Sequence, residues 1–261
     1  MNTLENKMAD ILTNLKENYG ALSVKAEFET EGTTLEEAVR LKEIANKSGL
    51  NFTVKIGGCE AIKDLYDTKI LCAEEIVAPM IETPYALKKF AGAVNKVFPN
   101  GEKSGIKTFI NIETITGYNN LRDIILTDDF SGISGVVLGR DDMAASMDLS
   151  KEDIESGMML NIAIKMSEKM QSARKDFIIG GSISPKTQDF LLKIPYLTKY
   201  ETRKVVFDSS VIKPDGIQKA LMFEVLYIQN KRDNYGIKQK DDEQRIKILN
   251  DRYNLIESNE L

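Results

Sequence analysis

Short apolar runs alternate along this chain with longer stretches in which apolar residues recur at helical spacing. The runs fall at 22–28 (LSVKAEF), 52–57 (FTVKIG), 75–80 (EIVAPM), 107–112 (KTFINI), 134–139 (SGVVLG), 176–181 (DFIIGG) and 204–208 (KVVFD). Several are continuously apolar, as expected of strands covered on both faces of a parallel sheet. Between them, 34–48 (TLEEAVRLKEIANKS) sets Leu35, Ala38, Leu41 and Ala45 at helical spacing, with Thr34 as the N-cap and Gly49 just past the end. Residues 83–96, 117–127, 150–172 and 185–193 repeat that pattern.

A strict strand-then-helix rhythm predicts an α/β fold with a parallel sheet. No strand leads into GxGxxG or a Walker A sequence, so the signatures of open nucleotide-binding sheets are missing. A length of 261 residues suits a closed (β/α)8 TIM barrel. Seven strands are legible rather than eight, so one is missed, irregular or lost. From about residue 213 the pattern changes to a strong helix (PDGIQKALMFEVLYIQNKRD), a charged break (GIKQKDDEQ) and a second amphipathic helix (RIKILNDRYNLI). We therefore expect a catalytic barrel over 1–230 and a C-terminal helical extension over 231–261. The extension reads equally well as a solvated tail or as an arm that joins copies into a homo-oligomer.

Composition narrows the chemistry. The net charge of −5 leaves no basic surplus for phosphates, so neither a nucleic acid nor a membrane surface is expected as a partner. The N-terminal segment is a charged amphipathic helix without the apolar core of a secretory leader, and Cys59 and Cys72 form no CxxC pair, which fits a cytoplasmic protein with reduced thiols. The chain has no histidine, which excludes Ser-His, Cys-His and His-dyad mechanisms within one chain. A metal site would have to use oxygen ligands, which select hard cations such as Mg2+ or Mn2+.

Candidate chemistry collects at strand ends, where barrel active sites are built. The tripeptide Ile-Glu-Thr occurs twice, as Ile81-Glu82-Thr83 and Ile112-Glu113-Thr114, about one βα unit apart. The next strand ends in Gly139-Arg140-Asp141-Asp142. Glu113 and Asp142, on neighbouring strands, could share one cation; the ordinary alternative for either is a helix cap or a solvated loop charge. Lys55 stands in an apolar run where an unpaired lysine is costly, which fits either a cation for an enolate or carboxylate or a lysine at the barrel rim. Glu27, Glu29 and Glu31 alternate by two, on one face of the first strand. Asp208, ahead of Ser209 and Ser210, reads as a cap.

Four stretches, VKIGG (54–58), IVAPMIETPYAL (76–87), FINIETITGYNNLRDII (109–125) and GVVLGRDDMAAS (135–146), resemble the HpcH/HpaI aldolase and citrate-lyase β-subunit family of the phosphoenolpyruvate/pyruvate barrel superfamily. The resemblance implies a divalent cation on the residues matched by Glu113 and Asp142, chelating a 2-oxo acid such as pyruvate and stabilising its enolate. It implies that the segment Gly139, Arg140 and Asp141 holds the substrate carboxylate, with Glu82 nearby, and that Lys55 takes the place of an enolate-assisting arginine. Besides that lysine, other departures accompany it, among them the absence of the N-terminal arginine and proline segment of the citrate-lyase branch, which argues against a coenzyme A thioester substrate. The family's catalytic histidine is missing, leaving Glu27 or Glu29 for proton transfer. The loop after the PM strand is shortened to FPNGEKSG. The N-terminal helix stands where the first family strand is expected. The expected activity is a Mg2+- or Mn2+-dependent carbon–carbon lyase or aldolase. The alternatives are phosphoenolpyruvate mutase-like C–O or C–P chemistry, or a silent barrel serving as a binding subunit.

Overall fold

The computed structural model describes residues 1–99, 105–235 and 240–257. Its strands are β1 (Ala21–Glu27), β2 (Asn51–Lys55), β3 (Glu75–Ala78), β4 (Lys107–Asn111), β5 (Gly135–Gly139), β6 (Asp176–Gly180), β7 (Lys199–Glu201) and β8 (Val205–Asp208). They close into one barrel in chain order. The helices, among the described residues, are α1 (Thr3–Tyr19), α2 (Leu35–Lys47), α3 (Ile62–Ile70), α4 (Pro84–Val97), α5 (Ile115–Ile125), α6 (Arg140–Ser146), α7 (Gly157–Ala173), α8 (Gln188–Leu192), α9 (Pro214–Tyr235) and α10 (Lys240–Glu257). The cap at Thr34 forms as the sequence predicts, with Glu37 closing a capping box. Most of the loop FPNGEKSG and the start of the charged break GIKQKDDEQ lie outside the described residues.

The eighth strand is β7, only Lys199, Tyr200 and Glu201, too short for its periodicity to register. The first strand is intact, contrary to the expectation of its replacement, and pairs with β2 in parallel register. The irregularity sits at the other end of the barrel: β8 runs antiparallel to both β7 and β1. Thr202, Arg203 and Lys204 alone join β7 to β8. A link that short allows only a hairpin, because a parallel return needs a crossover of about a dozen residues.

This reversal redirects the rest of the chain. Asp208 lies at the bottom of the barrel, where its N–H donates to Gly20 O at 2.9 Å and its carboxylate accepts from Ser210 N at 2.8 Å. From there α9 climbs to the mouth, antiparallel to α1. At the bottom the pair fits so closely that a Cβ on Gly216 would stand 2.7 Å from the Tyr19 ring. At the top Asn2 Nδ2 donates to Asn230 Oδ1 at 3.2 Å. The α9 helix passes residue 230 without a break, and α10 begins beside the mouth.

Inside, the barrel is divided. Val77, Phe109, Val137 and Ile178 of β3–β6 form a small apolar cluster. The side facing it is polar. Ser23 Oγ lies 2.6 Å from Thr53 Oγ1, and Glu75 accepts from Thr53 and Lys199, each at 2.9 Å. One level higher, Lys25 Nζ sits 2.6 Å from Glu201 Oε1 and 3.2 Å from Glu27 Oε1. Buried charges are tolerated here because each finds a partner. The outward faces of the strands, such as Phe52, Val54, Ile110, Leu138 and Phe177, carry the larger core between barrel and helices.

Candidate active site

Strand phase decides what reaches the mouth. Side chains alternate across a strand, so Phe109, which faces the barrel interior, puts Asn111 and then Glu113 inward as well. Glu113 is buried, its Oε1 accepting from Met80 N at 3.0 Å and its Oε2 from Asn111 Nδ2 at 2.7 Å. Gly139 makes room for it: a Cβ there would stand 2.6 Å from Glu113 Oε2 and 2.9 Å from Glu113 Cβ. The second Ile-Glu-Thr differs. Strand β3 ends at Ala78, and Met80, at φ +50°, turns the chain, so Glu82 is not carried inward as Glu113 is. It accepts from Thr114 Oγ1 at 2.6 Å and does not line the cavity. The repeat is structural in its outer letters. Ile81 and Ile112 are buried, and Thr83 and Thr114 cap α4 and α5 through Ala86 N and Gly117 N.

The mouth holds a cavity of about 200 Å3 whose floor is set by Glu27, Lys55, Asn111, Glu113, Gly139 and Asp142. Lys55 Nζ lies 2.8 Å from Glu29 Oε2 and 3.6 Å from Glu113 Oε2. Burial alone would push Lys55 down, but Glu113, Glu27 and Glu29 hold its ammonium above the usual lysine range. Glu27 shows the converse: burial pushes it up, yet Lys25, Lys204 and Lys55 outweigh burial and hold its carboxyl at about 2. Lys25 stays cationic despite complete burial, through Glu201 and Glu27. Glu31, beside the mouth, pairs with Lys204.

Asp142 is different in kind. It is exposed at the mouth, where Glu113 is buried, and its carboxylate has no hydrogen-bond or ion-pair partner among the described residues. Partial desolvation, and then the negative charge of Glu113, push its pKa up, and Lys55 offsets this only in part. Beside it, Asn111 Oδ1 is buried without a hydrogen-bond partner. The floor therefore has surplus negative charge and a spare buried acceptor, which fits a cation. Among the described residues no three acidic or thiol side chains gather as ligands, so any cation there would complete its sphere with water or substrate oxygens.

One of the segment's expected contacts falls elsewhere. Arg140, the first residue of α6, is fully buried behind the mouth. Its guanidinium donates to Gly180 O and Gly181 O at 3.2 and 2.5 Å and stacks on Phe190 at 4.9 Å. It locks β6 to α6 and does not face the cavity. Asp141 does line the cavity, and accepts from Ser182 Oγ at 2.6 Å. Gly181, at φ +84°, approaches the segment so closely that a Cβ would stand 2.7–2.8 Å from the amide nitrogens of Asp141 and Arg140. Four charged mouth residues escaped the sequence reading, Glu201, Arg203, Arg245 and Arg252, as did the polar Asn111. Glu201 belongs to the strand that was not legible. The arginines arrive through the hairpin and α10.

A closed barrel with a fixed carboxylate, a free one and a lysine converging at its mouth defines a (β/α)8-type enzyme scaffold. The sequence model of the HpcH/HpaI aldolase/citrate lyase family matches residues 37–180, more than half of the chain, and the chain belongs to that family. Membership points to an enzyme of the aldolase or lyase type. Comparison with curated proteins gives no match. Among solved structures, an HpcH/HpaI aldolase from Desulfitobacterium hafniense is similar at a TM-score of 0.59 and 12% identity, over 77% of this chain and 84% of that one. An HpcH/HpaI aldolase/citrate lyase family protein from Burkholderia cenocepacia aligns at 0.58 and 12%, over 77% and 93%. The citrate synthase SbnG aligns at 0.58 and 13%, over 87% and 91%. At such identities the likeness is one of fold. No helix among the described residues is long and apolar enough to cross a membrane.

Proposed function

We propose that the protein is a divalent-metal-dependent carbon–carbon lyase or aldolase that handles a pyruvate-like 2-oxo acid through its enolate, with Mg2+ or Mn2+ held by Glu113 and Asp142. The observation that carries this reading is the pairing of an immobilised carboxylate, Glu113, with the partnerless Asp142, whose proton affinity is raised by that same neighbour. A hard cation bound there would draw electron density from the keto and carboxylate oxygens of a 2-oxo acid and favour the enolate.

The chain's own residues divide the remaining work. Met80 N and Asn111 fix Glu113, so the site needs little reorganisation. Lys55, kept protonated by its carboxylate neighbours, sets a positive charge beside the developing oxyanion. Neither Lys55 nor Lys25 is suited to Schiff-base formation, because both are held in the ammonium form. Glu27, with its carboxyl near 2 and its oxygen on Lys25, is a poor base. Glu29 is the better placed proton carrier. It stands beyond the open end of β1 and is more exposed than Glu27, although its Oε2 also lies 2.8 Å from Lys55 Nζ. This assigns to Glu29 the role that histidine would otherwise fill.

The test is release of pyruvate from 4-hydroxy-2-oxo acids, followed by a coupled assay with Mg2+ or Mn2+ present and after chelation. Metal-dependent release that Glu113→Gln and Asp142→Asn abolish supports the reading. Release that persists in a chelator, or in both variants, contradicts it.

A further inference from the structure

Beyond the carboxylate pair, the cavity continues toward solvent between three guanidinium groups. Arg203 sits in the β7–β8 hairpin, and Arg245 and Arg252 sit on α10, two turns apart and so on one face of that helix. Their available counter-charges are mostly spent. Glu224 is engaged by Arg245 through Nε at 2.7 Å and Nη2 at 3.2 Å. Glu31 is engaged by Lys204 and lies 4.0 Å from Arg203 Nε. Asp141 accepts from Ser182. Arg252 donates from Nη2 to a neutral group, Ser182 Oγ, at 3.0 Å, and has no carboxylate within ion-pair distance among the described residues. Burial, and then repulsion from Arg245, push the Arg252 pKa down, whereas at Arg203 burial is outweighed by Glu31, Glu27 and Glu224, which hold its pKa up, so the cation short of anions is Arg252.

We propose that Arg252, with Arg203 beside it and Arg245 held on Glu224 behind, forms a second anion-binding subsite, so that the substrate is a dianionic acid whose far end carries a carboxylate or phosphate group. This rests on the reading of the mouth as a 2-oxo acid site only for the near end of the substrate. Guanidinium forks suit either group, because both present paired oxygens. The subsite follows from the reversed β8: that strand sends α9 up to the mouth, and α10 then brings two arginines over the cavity. The C-terminal helix is thus a specificity element of its own barrel.

Calorimetry on the full-length protein with Mg2+ tests this. Titrants are pyruvate, a 2-oxo dicarboxylate, a 2-oxo acid with a terminal phosphate, and inorganic phosphate alone. Wild type should bind at least one dianionic acid about tenfold to hundredfold more tightly than pyruvate, the range of one charge-assisted hydrogen bond. The acid preferred tells carboxylate from phosphate. In Arg252→Gln and Arg203→Gln that ratio should fall toward one, and Arg252→Lys should restore part of it, which separates binding from misfolding. Equal affinity for pyruvate and both dianionic acids in wild type, or a ratio unchanged in both Gln variants, overturns the subsite. If no 2-oxo acid binds but inorganic phosphate does, and Arg252→Gln loses it, the subsite stands and the proposed function fails. If phosphate does not bind either, both fail.

Discussion

Replacing Gly139 by alanine probes how the site is built. The added Cβ would stand 2.6 Å from Glu113 Oε2 and 2.9 Å from Glu113 Cβ, so the whole side chain must move, not only its tip. Moving it disturbs the bonds from Asn111 Nδ2 at 2.7 Å and Met80 N at 3.0 Å. A hydrogen bond to a charged group is worth about 1.5–3 kcal/mol, and Glu113 is too buried for water to replace what is lost. With one of the two bonds kept after relaxation, we expect a loss of about 2–4 kcal/mol. In urea, with a slope of about 3 kcal/mol/M, that lowers the unfolding midpoint by about 1 M. Gly92→Ala is the control. It lies inside α4 with nothing within 4 Å of an added Cβ, so it should stabilise by about 0.5–1 kcal/mol. A Gly139→Ala protein as stable as wild type, with wild-type Mg2+ affinity, would refute the claim that Glu113 is fixed against this strand end.

Other outcomes follow from the same contacts. Lys25→Met leaves Glu27 and Glu201 buried without their cation and should cost about 3–5 kcal/mol in chemical denaturation. Glu29→Gln should lower kcat by about 10^2- to 10^4-fold with little change in Mg2+ affinity, and an equal loss in Glu27→Gln alone would exchange their roles. Burial pushes Glu5 up, but the Asn2 amide and Arg40 outweigh it and hold its carboxyl below 4.5. A lowered folded pKa gives stability that is full above the unfolded value and is lost as pH falls through the folded one. The stability gap between wild type and Arg40→Ala, read from urea midpoints, should therefore close as pH drops below about 4.5.

Much of the site was legible because strand phase and strand ends are local properties. Glu113 and Asp142 were readable from their runs, and Thr34, Thr83 and Thr114 cap helices as their residue types predict. Phase carries Glu113 inward from Phe109, but it ends where the strands end: Met80, at φ +50°, interrupts the alternation before Glu82, and Arg140, Asp141 and Asp142 already lie in α6, so which of them faces the cavity was not legible. Less legible was whatever depended on chain direction. The antiparallel β8 is written in the shortness of the segment between α8 and β8, which leaves no room for another helix. It moves Asp208 to the far end of the barrel and puts Arg203 at the mouth. Arg245 and Arg252 lie far along the chain from every strand they meet. Only the closed fold brings them to the cavity.

The central claim is that Glu113 and Asp142 hold a divalent cation. Titrating the metal-free protein with Mg2+ and Mn2+ by calorimetry tests it most directly, beside Glu113→Gln and Asp142→Asn variants shown to be folded by circular dichroism. The account predicts one site per chain in wild type, weakened at least tenfold in either variant. Absence of binding in wild type, or binding that survives both substitutions, would contradict it.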